Sequence, residues 1–258
     1  SLDQSCTWYR YHHLFADLLQ HRLRIAYSGE INPLHLLASH WFAAEGSIED
    51  AIQHALAAQA WDEAARLIGQ VIGGLLNRGE LATAISWFQQ LPKAVLLESP
   101  SLGLSYTWAL LISGRYKEAE TLLDHFEAIG QSDPLLLGQV ANAQAFAARA
   151  AGDNPRLIDK SKQALALMQD GELASRCLLS LNLGLGYWHE GRLEEVGSAL
   201  DEAEFLAEQI SNDYARLTAK IFRARTLASQ GSLRRAEAML QILVQDDAVM
   251  PILALAHY

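Results

Sequence analysis

Apolar residues recur along most of this chain at intervals of three and four, the spacing that gathers them on one face of a helix. Stretches of this kind come in pairs, one running into a glycine and the next beginning just after it, with a small residue five positions beyond the glycine. The copies are Gly46 with Ala51, Gly79 with Ala84, Gly114 with Ala119, Gly191 with Val196 and Gly231 with Ala236; Gly152 with Leu157 is a degenerate member. Successive glycines stand 33, 35, 38, 39 and 40 residues apart. A period in that range, flanked on both sides by amphipathic helical sequence, predicts stacked helix-turn-helix repeats in which each pair packs on its neighbours.

The glycine supplies a left-handed helix end, the short turn brings the two helices back antiparallel, and the small residue lets them approach closely. First helices are predicted at about 33–45, 61–78, 101–113, 134–151, 173–190 and 214–230, and second helices at about 48–58, 81–90, 116–129, 155–169, 193–210 and 233–244. The breaks between pairs carry Pro92, Pro100, Gly130 to Pro134, Asp170-Gly171, Ser211-Asn212-Asp213 and Gln245-Asp246-Asp247, all turn chemistry. Ser132, Gly171 and Asn212 stand near new helix starts, and Asp133 or Asp213 is placed to cap one. Residues 250–258 read as the opening of a further helix, so the array is expected to be truncated at that end. The front of the chain differs: Cys6 to Tyr11 is β-branched and aromatic enough for a strand, and Leu14, Phe15, Leu18, Leu19 and Leu23 have helical spacing. A strand feeding a helix suggests the end of a preceding domain over 1–30, with the repeat array of about six helix pairs over 31–258.

Composition agrees with an all-α chain. Alanine and leucine dominate, half the 258 residues are hydrophobic and 19% are charged, which supplies a continuous core. The longest nearly apolar stretch, Leu67 to Leu76, is too short to cross a bilayer. Two distant cysteines, Cys6 and Cys177, read as reduced thiols in a cytoplasmic protein. The formal net charge of −10 argues against affinity for nucleic acid or anionic lipid. Between Glu190 and Asp213 eight acidic residues face the single Arg192, and Arg216, Lys220 and Arg223 of the next helix are spaced to answer them. This is an acidic face partly paired with its neighbouring helix.

Particular residues carry two resemblances. Leu183-Gly184-Leu185-Gly186-Tyr187 followed by Gly191, Val196, Leu200 and Ala203 resembles the tetratricopeptide repeat, with longer intervals and without its helix-ending proline in most copies. The fold implied is a tetratricopeptide-like superhelix, or solenoid. Trp8-Tyr9-Arg10-Tyr11-His12-His13-Leu14-Phe15-Ala16-Asp17-Leu18-Leu19-Gln20-His21-Arg22-Leu23 looks like the segment closing the winged-helix part of the large ATP-dependent LuxR-type transcriptional regulators, the MalT-like signal-transduction ATPases. Leu34-His35, Ala38-Ser39, Trp41, Glu45-Gly46 and Ala51 to Ala58 are similar to the next segment of that family, where the helical sensor array begins. That resemblance covers residues 2 to about 90. It implies a bacterial parent with an ATPase module before this segment and a DNA-binding helix-turn-helix after it, ATP belonging to the parent alone.

The chain offers little for catalysis. No Gly-Lys pair forms a phosphate loop, and no Cys-x-x-Cys or His-Glu-x-x-His is present. His12, His13 and His21 share one segment, and His35 and His40 are five apart, off the spacing that aligns ligands on a helix, so neither a metal nor another cofactor is expected. Gly184-Leu185-Gly186 lacks the third glycine and the preceding strand of a dinucleotide fingerprint and reads as a close helix-packing site; Gly103 to Thr107 lacks the closing glycine of a nucleophile elbow.

In tetratricopeptide-like stacks the first helices line the concave side. Counting back from each glycine turns inward Ser101, Leu104, Trp108 and Leu111; Gln139, Asn142, Phe146 and Arg149; Leu178, Leu181, Leu185, Trp188 and His189; and Thr218, Ile221 and Arg225. Of these Trp108, Asn142, Phe146, Arg149, Trp188 and Arg225 form the candidate binding surface, the aromatic rings either lining a groove or filling core between helices. The function expected is a non-enzymatic sensor or protein-interaction module of a MalT-like regulator. It would bind a small-molecule inducer or a protein or peptide there, leaving DNA to a C-terminal domain. The alternative is a free-standing tetratricopeptide scaffold holding a peptide or helix.

Overall fold

The computed structural model describes residues 13–169 and 171–244; the predicted strand at Cys6 to Tyr11 and the helix opening at 250–258 lie outside them. Among the described residues the chain is all helix, with no strand. The helices are α1 (His13–Ala26), α2 (Ile31–Ala44), α3 (Ile48–Ala57), α4 (Trp61–Asn77), α5 (Leu81–Gln90), α6 (Lys93–Glu98), α7 (Pro100–Ile112), α8 (Tyr116–Ile129), α9 (Pro134–Ala151), α10 (Asn154–Leu167), α11 (Leu173–His189), α12 (Leu193–Gln209), α13 (Asp213–Ser229) and α14 (Leu233–Val244). All twelve predicted repeat helices are present within two residues of the predicted ends. The sequence did not announce α6, or the 3-10 turns Ser28–Glu30 and Gly130–Ser132.

The glycine turns work as the repeat pattern requires. Gly46, Gly79, Gly114, Gly152, Gly191 and Gly231 all have φ between 71° and 82°. Each donates its N–H to the carbonyl three residues back while the following residue reaches five back, as in Gly46 to Ala43 and Ser47 to Phe42, or Gly191 to Trp188 and Arg192 to Tyr187. This pair of hydrogen bonds satisfies carbonyls that the helix end leaves open. The same pattern closes α3 at Gln59 and α12 at Ser211, where φ is 55° and 53°, so two turns between pairs hold a left-handed residue that has a side chain. The residue five beyond each glycine is buried in every copy, from Ala51 at 0% to Ala236 at 4% exposure. Ser39 of α2 even donates to the carbonyl of Ala51 at 2.8 Å, a measure of how near the paired helices come.

The chain divides into two compact units, Ser1–Leu102 and Gly103–Tyr258, the division falling inside α7. In the first unit α2 packs on α3, α3 on α4, and α4 on both α5 and α6. Helix α1 carries the predicted apolar stripe, yet Leu14, Leu18 and Leu19 are exposed. In the second unit each helix from α8 to α14 packs on the next, and α11 also packs on α9 and α13, so successive first helices lie side by side. Its largest described core joins Leu181, Leu185 and Tyr187 of α11 to Val196, Leu200 and Ala203 of α12 and Ala215 and Ala219 of α13. Side chains cap the starts of α9, α10 and α13, whereas Ser47 at the start of α3 makes no such bond. Asp133 accepts from Leu135 and Leu136, Asp153 from Arg156, and Asn212, rather than Asp213, from Ala215.

The small-residue motif in α11 is a packing device. A Cβ on Gly184 would lie 2.2 Å from Cδ2 of Leu200, and one on Gly186 would lie 2.8 Å from Cγ1 of Ile158. Two glycines about half a turn apart thus let α11 sink against α12 on one side and α10 on the other.

Candidate functional site

The six candidate residues all fall in the second unit, on the first helices α7, α9, α11 and α13. They do not form one cluster; five of them enter three contacts between first helices, and Asn142 enters none of these. Trp108 of α7 meets Phe146 of α9 edge to face, with ring centroids 5.5 Å apart. Trp188 of α11 meets Phe222 of α13 in the same way at 5.2 Å, and Arg225 lies over both rings, 4.2 Å from the Trp188 centroid and 5.0 Å from that of Phe222. Arg149 reaches from the end of α9 to two further helices, its Nη1 donating to Oδ1 of Asn182 on α11 and its Nη2 to the hydroxyl of Tyr214 on α13, both at 3.1 Å.

The rings are neither wholly core nor wholly free. Trp108, Phe146 and Trp188 are half-buried, as is Asn142, while Arg149 and Arg225 are exposed. Asn142 makes no side-chain hydrogen bond among the described residues. The Nε1–H of Trp188 is buried without an acceptor, which in a protein interior costs about 1–3 kcal/mol. His189, beside it, is exposed, its ring edge to face with Trp188 at 5.0 Å.

Counting back from the glycines misassigned part of the inward face. Leu104, Leu111, Leu181 and Leu185 are core residues, between 0% and 7% exposed, and not groove lining. Helix α11 is covered by α9, α10, α12 and α13, which leaves it a narrower open strip than a strict three-four count allots. The count also missed Asn182, Tyr214 and Phe222, which complete the contacts. Asn182 adjoins the predicted Leu181 and Phe222 adjoins Ile221, a slip of one residue, the phase error that accumulates when a helix of 3.6 residues per turn is counted in whole steps.

A second polar group sits on the other side of α9. Gln144, only 2% exposed, donates through Nε2 to Glu127 of α8 at 2.9 Å, and Lys160 of α10 donates to the other carboxylate oxygen at the same distance. The Lys160 ammonium holds the Glu127 carboxyl below its usual range, against the opposing pull of burial, with help from the Gln144 amide. The acidic block is paired much as its sequence suggests, with Arg223 meeting Asp201 and Glu204 at 3.0 and 2.8 Å and Lys220 meeting Glu204 at 3.4 Å. Arg216 instead pairs with Asp213 of its own helix.

Among the described residues His35, His54 and Cys177 are engaged in packing. Nδ1 of His35 lies 2.9 Å from Nδ1 of His54, whose ring stacks on Phe42; burial first, then His35, lowers the basicity of His54. Among the described residues no group of three or more His, Cys, Asp or Glu side chains is placed to hold a metal ion. Cys177 is fully buried, burial pushes its thiol pKa up, and its Sγ contacts the carbonyl of Ala203 at 3.4 Å. No described helix is long and apolar enough to cross a membrane.

Helix pairs joined by left-handed glycine turns, with first helices side by side and a strip of rings and guanidinium groups along them, define a helical-repeat protein. Sequence comparison places it more closely. Residues 1–31 match the MalT winged helix domain. Over 240 residues, 91% of the chain, it is 27% identical to the HTH-type transcriptional regulator MalT of Yersinia enterocolitica, and over 237 residues it is 28% identical to that of Cronobacter sakazakii. A 127-residue stretch, 49% of the chain, is 34% identical to the serine/threonine-protein kinase PknK of Mycobacterium tuberculosis. The chain spans about a quarter of the length of the MalT relatives, 27% and 26%, and 11% of the kinase. The chain is MalT-like, resembling the end of the winged-helix domain and the segment next to it.

Proposed function

We propose that this chain is the sensor and interaction module of a MalT-like transcriptional regulator, without catalytic activity of its own. The observation that carries the reading is the coincidence of two facts. The likeness to MalT covers 91% of the chain, and in the helical array the first helices present side chains that bridge one repeat to the next. A ligand bound across Trp108, Asn142, Phe146, Arg149, Trp188 and Arg225 would touch several repeats at once. It would favour whichever relative placement of those repeats fits it best, and that preference is what an effector needs in order to shift an equilibrium. The ligand is an inducer or a protein segment, and the output belongs to other parts of the parent, DNA contact to a C-terminal helix-turn-helix and ATP to an upstream module. The stretch shared with a protein named as a kinase fits a module that serves different outputs, which is also what a tetratricopeptide scaffold would do.

The test has two arms. A thermal-shift screen of this chain against sugars, nucleotides, amino acids and peptides should find a ligand that adds about 2.7 kcal/mol at 100 times its dissociation constant. Reporter transcription driven by the whole regulator should respond to that ligand and lose the response when Trp188 and Phe146 are both replaced by alanine. A regulator that responds unchanged in that double variant would overturn the assignment.

A further inference from the structure

Most cations of the second unit have carboxylate partners. Arg156 meets Glu120, Lys160 meets Glu127, Arg176 meets Glu202, Arg192 meets Glu195, Arg216 meets Asp213, and Lys220 and Arg223 meet Glu204. Arg149 and Arg225 have no such partner among the described residues, nor do Lys117, Lys162, Arg234 and Arg235, although the chain carries 30 acidic residues against 20 lysines and arginines. What sets the two arginines apart is that each lies on a first helix and is held there by neutral groups. Arg149 is instead held by two neutral acceptors, the amide oxygen of Asn182 and the hydroxyl of Tyr214, and Asn182 is only 6% exposed. Arg225 is held over two aromatic rings. Neutral partners fix a guanidinium in place without neutralising it, so each keeps its full charge and spare N–H donors for an outside acceptor.

The two arginines are also apart in a definite way. Along α13, Tyr214, where Arg149 ends, and Arg225 lie eleven residues apart, about 16 Å at 1.5 Å per residue; along α11, the partners Asn182 and Trp188 lie six apart, about 9 Å. One small anion does not span that interval. An extended polypeptide covers it in about three to five residues at roughly 3.3 Å each. Between and beside the arginines the strip offers Trp188, Phe222 and Ile221, apolar ground for the side chain of a residue lying between the two charges.

We propose that this face takes an acidic polypeptide segment in extended form, one carboxylate on Arg149, a second about three to five residues away on Arg225, and an apolar side chain between them. This deepens the sensor reading above and rests on it, since it names the chemistry of the partner that the same face would receive.

The experiment is fluorescence anisotropy of the 258-residue chain at low salt with a fluorescein-labelled peptide carrying two glutamates about four residues apart around a leucine. The same peptide with lysines for glutamates, and free citrate as competitor, complete the set. The acidic peptide should bind and the lysine peptide should not. Arg149→Gln and Arg225→Gln should each weaken binding about tenfold, the loss of one charge-assisted contact. Lys117→Gln, an exposed cation on α8, should leave it unchanged. Arg225 contributes nothing to a buried network, so its variant decides the matter even where the Arg149 variant loses helicity by circular dichroism. No binding of the acidic peptide, binding insensitive to Arg225→Gln, equal binding of the lysine peptide, or citrate as strong as the peptide would each overturn the proposal. A neutral ligand that raises the melting temperature while the acidic peptide fails would overturn this inference and leave the sensor role standing.

Discussion

Replacing Gly184 by alanine tests the packing argument at its tightest point. In an open helix the change stabilises, because alanine surpasses glycine by about 1 kcal/mol. At Gly184 the new methyl would sit 2.2 Å from Cδ2 and 2.6 Å from Cγ of Leu200. Leu200 is fully buried among Val196, Ala203 and Leu185, so its side chain has no free volume to rotate into. Forcing a methyl into a packed site costs about 1–3 kcal/mol, occasionally more. The overlap here is severe enough to place the cost near the top of that range, leaving a net loss of about 2 kcal/mol after the helix gain. For a chain of this size that is a fall of roughly 4–8 °C in melting temperature, read by circular dichroism at 222 nm. Gly197 of α12, in the same helix pair, has nothing within 4 Å of its hypothetical Cβ, so Gly197→Ala should instead raise the midpoint. Leu200→Ala alone should cost about 2–5 kcal/mol, and less when Gly184 is already alanine, because the methyl then fills space the leucine vacated. Gly184→Ala and Gly197→Ala shifting the midpoint in the same direction would refute the reasoning.

Three other substitutions and titrations have definite expected outcomes. Glu127→Gln should cost less than about 1 kcal/mol near neutral pH, since the pair is partly exposed. Because the folded carboxyl titrates below its ordinary 4.5, that difference is present above pH 4.5, disappears as pH falls through the folded value, and is read by urea unfolding at pH 7 and pH 3. Ser211→Gly should raise stability by about 0.5–1 kcal/mol, the relief of a left-handed non-glycine conformation less the extra freedom of the unfolded glycine, measured by the same unfolding curves. This chain should not bind duplex DNA in an anisotropy titration at about 50 mM salt, where phosphate attraction is strong; micromolar binding that weakens steeply with salt would overturn that expectation and implicate the cations of α13.

The sequence was most readable where one physical cause acts alone. A left-handed helix end needs glycine at little cost, so six glycines at a steady interval announced six turns, and the buried Ala51, Ala84 and Ala119 are products of the same geometry. Gln59 and Ser211 adopt the same turn without the glycine; the polar run Ser211-Asn212-Asp213 marked the second, and only the break in periodicity marked the first. The short α6 lies between Pro92 and Pro100, where punctuation conceals about a turn and a half of helix. Of the site, the helices and the long aromatic and arginine side chains were legible, because size and charge survive an error of phase. The exact partners were not, since Asn182 and Leu181 differ only by about 100° of helix rotation, and which one faces the neighbour depends on how deeply Gly184 and Gly186 let α11 sink.

The bridge from Arg149 to Tyr214 joins residues 65 apart in sequence and passes over a whole helix pair. Arrays of this kind ordinarily behave as a one-dimensional chain of units, each coupled to its nearest neighbour, so that ends fray and the middle melts by degrees. A contact that skips a unit adds a next-nearest term, and a term of that sort lengthens the block that opens together. Amide protons of α9 and α13 should therefore exchange with a common opening free energy, as one cooperative unit, and should separate into two when the guanidinium that spans them is removed.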